Sequence, residues 1–320
     1  MDVIFESGLQ LAAPFFSVCI ETNNRGKTIF RSLESLSNQL FKNFECIVVD
    51  DRSSDETMNE INRFINSSLY SNSPFSLKVY QNKKQLGAVF NWNKPLEHAK
   101  AKYIAVLEGD DYFHNEHLQK ANAVLEKIPT LGIYATGNQL APRPLTGIIP
   151  AKEYFKYNYR IINVSPPSET IFIRLNKNNV PYTFDVINNI YAPEHDLWMR
   201  IANDGWDAYH TDSADVYREP STSFSNRSWK FYEDKFKIIE KYRTNAAIDK
   251  NDFNTAFKKQ FIAATRRYLV GTYNKQGDPE SIKQGLFSIL KNKNIPSPNL
   301  YSGIFKSILV QITLYTTEKD

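Results

Sequence analysis

The sequence predicts an α/β fold: a mostly parallel sheet with helices on both faces, followed by a helical C-terminal region. Three observations predict it. Strand-like and helix-like segments alternate as far as Leu140. The strand-like runs are almost continuously apolar, as in sheets covered on both faces. The unusual polar clusters, Glu21-Thr22, Asp50-Asp51 and Glu108 to Asp111, all fall where a strand run ends. In such sheets ligands sit at the carboxyl ends of the strands.

The elements follow in order. FFSVCIET (Phe15–Thr22) reads as the first strand. Asn23–Lys27 turns the chain, and Thr28 reads as the cap of a helix with Ile29, Leu33, Leu36 and Leu40 on one face. FECIVVDD (Phe44–Asp51) is the next strand. Ser53 or Ser54 then precedes an acidic turn and reads as the cap of a helix running to Ile65. LKVYQN (Leu77–Asn82) is a third strand, and Gly87 to Lys100 a loop then a helix. KYIAVLEGDD (Lys102–Asp111) is the fourth strand, His114–Lys127 a helix, and GIYATG (Gly132–Gly137) another strand. After Leu140 the pattern loosens into a proline-rich connection, APRPLTGIIP. ETIFIRL (Glu169–Leu175) is a strand and Ala192–Asn203 a helix. WDAYHTD (Trp206–Asp212) and ADVYREP (Ala214–Pro220) read as two short extended pieces. From Trp229 the chain is mostly helical, with breaks near Gly277–Pro279 and Pro296–Pro298. This organisation divides the chain into residues 1–228 and 229–320.

Composition narrows the class. Hydrophobic residues make up 42% of the 320, enough for a real core. Cys19 and Cys46 lie in apolar runs without spaced partners, so they read as reduced core thiols of a cytoplasmic protein. No apolar run reaches the roughly 18 residues of a membrane span. The first residues, MDVIFESGLQLAAPFF, lack the basic start of a signal peptide. Net charge is +4, and Trp229–Asp320 carries 16 Lys/Arg against 9 Asp/Glu. That basic tail suits an anionic partner such as a membrane face, or a solvated helical surface. No nucleic-acid motif is present.

Glu108-Gly109-Asp110-Asp111 suits a hard divalent cation, Mg²⁺ or Mn²⁺, clamping a diphosphate, and no His/Cys set competes for zinc. The alternative is an acidic cap for the next helix. Asp50-Asp51 is likewise either a helix cap or an acceptor for the ring N–H of a uracil.

FSVCIETNNR, IVVDDRSSDET and NKKQLGAVFNWNKPLEHAKAKYIAVLEGDDYF resemble, in order and separation, family 2 glycosyltransferases of the GT-A fold, over roughly residues 15–220. The resemblance implies a Rossmann-like GT-A domain and the following roles. Glu21 and Thr22 line the nucleotide pocket, with Glu21 where proline is usual. Asp51, with Asp50, reads the uracil. Arg52 replaces a common glycine, which is tolerable if that turn needs no positive φ. Asn82, Gly87 and Asn93 flank the nucleotide, with Lys83 or Lys84 within reach of a phosphate. Glu108, Asp110 and Asp111 hold the metal. PEHDLWMRIANDG (Pro193–Gly205) resembles the helix that carries the general base. One register puts Glu194 there and another Asp196; the first fits the flanking residues better. Trp198, Met199 and Ile201 read as core, and His195 as structural. VYREPSTSFSNRS (Val216–Ser228) resembles the loop over the diphosphate without its usual histidine, leaving Arg218, Asn226 or Arg227 as phosphate ligands. Donor choice would rest on Asn138–Arg143, the Glu169–Arg174 strand and the base helix.

The implied activity is metal-dependent, inverting transfer of a single hexosyl or N-acetylhexosaminyl group. The donor would be a nucleotide-sugar, a UDP-sugar by preference. The acceptor would be a hydroxyl of a glycan or lipid-linked glycan in surface polysaccharide synthesis. Two rivals stay open: a nucleotidyltransferase acting on a sugar phosphate, for which ETNNRGKT has too few glycines, and a non-catalytic sugar-binding module on the same fold. The C-terminal helices, YSGIFKSILVQITLY (Tyr301–Tyr315) among them, suit an acceptor contact, a peripheral contact at the inner face of the plasma membrane, packing on the first domain, or a homodimer contact.

Overall fold

The computed structural model describes residues 1–9, 11–138, 145–161, 170–188, 192–219, 229–273, 279–291, 301 and 303. The chain opens with β1 (Asp2–Glu6), β2 (Phe16–Thr22), α1 (Ile29–Ser37) and β3 (Phe44–Asp50). Next come α2 (Thr57–Ile65), α3 (Ser68–Asn72), β4 (Ser76–Gln81), and two single-turn helices, α4 (Ala88–Asn91) and α5 (Asn93–Leu96). They are followed by β5 (Tyr103–Glu108), β6 (Tyr112–Phe113), α6 (His117–Leu125), β7 (Leu131–Asn138), β8 (Gly147–Ile149) and α7 (Ala151–Ile161). The last elements are β9 (Thr170–Ile173), α8 (Pro193–Asn203), β10 (Asp207–Tyr217), α9 (Trp229–Lys241), α10 (Lys250–Tyr273) and α11 (Pro279–Lys291).

Two compact units result. The first comprises Met1–Tyr154, Ser165–Val186 and Leu197–Pro220; the second comprises Phe155–Val164, Ile187–Asp196 and Ser221–Asp320. The second thus takes in two earlier segments besides the C-terminal helices. The dividing point falls inside α8, whose first turn belongs to the second unit and whose remainder belongs to the first.

The first unit is built on one mixed sheet of order β1-β4-β3-β2-β5-β9-β7-β10-β6, with β8 paired to β10. Strands β4, β3, β2 and β5 run parallel, the block that the alternating pattern predicts. Every residue of β3 is buried, which is why its sequence shows no polar alternation. Beyond β5, β9 enters antiparallel and joins the block to β7, which pairs parallel with β10. The two extended pieces expected after Trp206 form one strand, β10, whose pairing with β7 shifts register between His210 and Ala214 and again before Val216. Those irregularities break the apolar alternation and make it read as two pieces. Strand β1, an antiparallel edge on β4, and helix α7 carry no signal that the sequence reading caught.

Two helix starts differ from expectation. Ile29, Leu33 and Leu36 are buried under α1, but the helix stops at Ser37 and Leu40 is 54% exposed. Thr28 makes no side-chain cap; its hydroxyl donates to the Gly109 carbonyl at 3.0 Å. Helix α2 begins at Thr57 with Glu56 at its N-cap, so neither Ser53 nor Ser54 caps it. Asp55 Oδ1 accepts from the Thr57 amide at 3.0 Å and closes that turn instead.

The second unit packs its helices on aromatic rings. Phe257 lies 5.1 Å from Phe236, and Tyr301 lies 5.3 Å from Phe257 and 5.1 Å from Phe261. Buried Asp252 pairs with Lys156 at 2.9 Å and with Arg160, tying the end of α7 to α10. No helix among the described residues is long and apolar enough to cross a membrane. Residues 296–298 and nearly all of 301–315 lie outside the described residues.

Candidate active site

The parallel register places three strand ends side by side. Glu21 pairs with Glu108 across β2 and β5, and Thr22 with Asp50 across β2 and β3. The chain turns tightly after β5, the Asp111 amide donating back to the Glu108 carbonyl at 2.9 Å. Glycine is required inside that turn, because a Cβ on Gly109 would lie 2.8 Å from Thr22 Oγ1 and 3.3 Å from the Glu21 carbonyl oxygen. Helix α1 holds the turn from below: Ser32 Oγ donates to the Asp111 carbonyl at 2.6 Å and to the Gly109 carbonyl at 3.2 Å.

This scaffold gathers the carboxylates of Glu108, Asp110 and Asp111, whose candidate ligand atoms lie within 4.8 Å of one another. Crowding of this kind is costly unless positive charge balances it. Arg25 Nη2 lies 3.1 Å from Asp110 Oδ2, and Arg218 Nη2 lies 3.1 Å from Glu108 Oε2. The Glu219 amide donates to Asp111 Oδ1 at 3.1 Å. Burial raises the Glu108 carboxyl above the ordinary glutamate range; Arg218 opposes that rise and Asp110 adds to it. Half-buried Glu21 is pushed up to about 8 by burial first, then by Glu108 and Asp110, and its Oε1 accepts from Trp92 Nε1 at 3.3 Å. Neither Asp110 nor Asp111 caps a helix, since α6 starts at His117 behind Glu116. An all-oxygen donor set beside Thr22 Oγ1, which is buried with no partner among the described residues, fits a hard divalent cation.

Asp50 and Asp51 are both fully buried, and neither caps α2. Asp50 Oδ2 accepts from the Ser53 amide at 3.0 Å and from Gln81 Nε2 at 2.9 Å, and Ser53 Oγ bonds Oδ1. The turn they close does require a positive φ: Arg52 sits at +60°, so arginine holds a left-handed conformation where glycine would be free of strain. Asp51 Oδ1 accepts from Asn82 Nδ2 and the Leu86 amide, both at 2.8 Å, and Oδ2 from the Gly87 amide at 2.7 Å. Among the described residues that is the one donor to Oδ2, which leaves it an acceptor position. Gly87, at φ +92°, is needed for the loop to fold back onto that carboxylate.

Asn82 also bonds Asn91 Oδ1 at 2.9 Å, and Asn91 Nδ2 reaches the Val49 carbonyl at 3.1 Å. Asn93 is committed elsewhere: both ends of its amide bind the Phe184 backbone at 2.8 Å. Lys83 is a solvated loop lysine, its side chain 72% exposed beside Asp2. Asn91, Trp92 and Arg25 escaped the sequence reading. Their only signal was polar chemistry in the run Asn91-Trp92-Asn93 and one arginine in the turn after β2.

In the second unit the first turn of α8 separates the two candidate bases. Asp196 is fully buried and accepts from Lys241 Nζ at 2.7 Å and Tyr242 OH at 3.1 Å. Glu194 is half-buried. Its charge supports buried Lys235, whose ammonium burial pushes down to about 8. Buried His195 is pushed down to about 3 by burial and then by Lys235, so it stays neutral. Trp198 is core as expected, 5.5 Å from Phe172 and 6.5 Å from Phe184 in the first unit. Asn226 and Arg227 lie outside the described residues, as do Gln139–Arg143.

The mixed, mostly parallel sheet with its helices matches the GT-A fold of its structural neighbours. Residues 17–175 match the family model described as Glycosyl transferase family 2, and the chain belongs to that family. It is 25% identical over 202 residues to WfaP of Escherichia coli, a UDP-Glc:alpha-D-GlcNAc-diphosphoundecaprenol beta-1,3-glucosyltransferase; the match covers 63% of this chain and 75% of that protein. Its fold is similar to the crystal structure of Staphylococcus aureus TarS 1–349 with UDP-GlcNAc (TM-score 0.58, 20% identity, covering 79% of this chain and 80% of that one). It is also similar to the mannosyltransferase PcManGT of Pyrobaculum calidifontis with GDP-Man and Mn²⁺ (TM-score 0.58, 15% identity, covering 94% and 86%).

Proposed function

We propose that this enzyme moves a single sugar from a UDP-sugar to a hydroxyl of a glycan or lipid-linked glycan acceptor, with inversion, during synthesis of a bacterial surface polysaccharide. The observation that carries the reading is the Glu108, Asp110 and Asp111 cluster at the carboxyl end of β5. Asp110 and Asp111, with Glu108, would hold Mn²⁺ or Mg²⁺, which when bound supplies positive charge to the departing diphosphate. The names of WfaP and of the TarS complex support a UDP-linked donor, and the Mn²⁺ complex of PcManGT supports the ion. The spare acceptor position on Asp51 Oδ2 suits the ring N–H of a uracil, and Thr22 Oγ1 offers a further unpartnered group at the same strand ends.

Glu194 is the better candidate for the general base, because a base has to meet the acceptor hydroxyl and Asp196 is sealed in by Lys241 and Tyr242. Glu194 takes the hydroxyl proton as the acceptor oxygen bonds to the anomeric carbon. The bond from that carbon to the diphosphate breaks, and its electron pair leaves on UDP. The basic helices after Trp229 supply acceptor contacts at the inner face of the membrane.

The experiment is a transfer assay with Mn²⁺, a panel of UDP-sugars and glycan or lipid-linked glycan acceptors. It follows UDP release and the anomeric configuration of the product. UDP release with inverted product is expected. Pyrophosphate release would indicate a nucleotidyltransferase, and donor binding without turnover on any acceptor would indicate a sugar-binding module.

A further inference from the structure

Two arginines balance the carboxylate cluster, and they come from distant parts of the sequence. Arg25 follows β2, and its side chain is 45% exposed. Its backbone is fixed independently: its own amide donates to Thr57 Oγ1 at 2.7 Å and that of Gly26 to Asp55 Oδ2 at 3.0 Å. The loop is therefore anchored, while the guanidinium ion-pairs with Asp110 alone among the described residues. Arg218 follows β10. Its Nη2 is 3.1 Å from Glu108 Oε2, and its Nε is 3.9 Å from Asp111 Oδ2.

Charge counting shows what this arrangement permits. Three carboxylates and two guanidiniums leave a single negative charge. Adding a divalent cation reverses the sign, and adding the two negative charges of a nucleotide-sugar diphosphate restores it. Without the arginines the loaded site would carry three uncompensated negative charges on partly buried groups, where repulsion is only weakly screened. The guanidinium fork matches carboxylate and phosphate equally well. The same two groups can therefore serve the empty and the loaded site in turn.

We propose that Arg25 and Arg218 are exchangeable counter-charges, ion-paired to the metal-binding carboxylates in the empty site and passed to the donor diphosphate when the cation and nucleotide bind. Arg25 is then a donor-binding residue outside the acidic motif. The inference rests on the nucleotide-sugar reading above. In the empty site the arginines compete with the cation for the carboxylates; in the loaded site they hold the nucleotide. Removing either one should move the two affinities in opposite directions, which a structural arginine would not do.

The test is calorimetric titration of the full chain with MnCl₂ alone, and then with UDP at saturating Mn²⁺. It compares wild type, Arg25→Gln and Arg218→Gln, with Arg25→Lys as the charge-retaining control. Circular dichroism melts check that each variant is folded. Loss of a charge-assisted pair is expected to tighten Mn²⁺ binding about threefold to tenfold in both glutamine variants and to weaken UDP binding about tenfold. Arg25→Lys should fall between them and wild type. Weakening of both ligands together, or no change in either, would overturn the exchange. If wild type binds Mn²⁺ but not UDP, the nucleotide-sugar reading fails, and the transfer to diphosphate fails with it. If wild type binds both and the variants do not shift in opposite senses, only the arginine exchange fails.

Discussion

Two groups of carboxylates in this chain are handled in opposite ways. At the end of β5 in the first unit, half-buried Glu108 and Asp110 crowd together with buried Asp111, and Arg25 and Arg218 lie against them. At the start of α8 in the second unit, Asp196 is sealed in by Lys241 and Tyr242, and Glu194 lies half-buried near Lys235. The difference teaches how to tell a ligand site from a structural ion pair. Like charges crowded at a strand end mark a candidate ligand site. A carboxylate saturated by fixed donors in the interior is part of the packing.

Within the α8 turn the comparison can be broken directly. Glu194→Gln should lower kcat by about 10²–10⁴-fold while UDP binding and melting temperature hold, the scale of losing a general base. Asp196→Asn should behave in the reverse sense, losing about 1–3 kcal/mol in urea denaturation with a smaller change in kcat. A kcat collapse in Asp196→Asn at unchanged stability would exchange the two roles.

In the β5 cluster, Asp110→Asn should lower transfer by about 10²–10³-fold, the scale of removing one group that stabilises developing charge. Circular dichroism should show the fold intact. Gly109→Ala tests the scaffold beneath it. The added methyl would lie 2.8 Å from Thr22 Oγ1, and the forced shift should cost about 1–3 kcal/mol of stability. A fully stable Gly109→Ala protein would mean that this turn is looser than its contacts indicate.

The contrast can also be sharpened through pH. Glu21, with its carboxyl raised to about 8, keeps a proton that the unfolded chain releases near 4.5. Its contribution to stability is full below that lower value and is lost as pH rises toward about 8. His195, lowered to about 3, refuses a proton that the unfolded chain takes up near 6.5. Its contribution is full above that value and is lost as pH falls toward about 3. Urea midpoints of the metal-free protein between pH 4 and 9 should therefore fall on both sides. Glu21→Gln should flatten the alkaline limb and His195→Asn the acid one.

Much of the first unit was legible because its chemistry is local. Each strand end is contiguous with its carboxylates, so IVVDD and IAVLEGDD carry fold and site in one stretch. Register then needed only the parallel pattern to bring Glu21 beside Glu108. What stayed hidden depends on distant partners. Nothing near Asp51 announces that its oxygens would bind the loop at Leu86 and Gly87, nor does Asn93 announce its hold on Phe184. Asp196 and Glu194 are alike in sequence, and they separate only when Lys241, Tyr242 and Lys235 arrive from α9 and its end. Arg52 exposes a limit of pattern reading: an arginine is tolerable there if the turn needs no positive φ, and the turn imposes one at +60°.

The central claim is that the strand-end carboxylates form a cation-dependent diphosphate site. The most direct measurement is the melting temperature of wild type and Asp110→Asn with UDP, with and without Mn²⁺. A ligand that binds only the folded state raises it by mass action. The account predicts a rise with UDP that requires Mn²⁺ in wild type and is absent in Asp110→Asn. A flat response to UDP with Mn²⁺, or an equal rise in the variant, would contradict it.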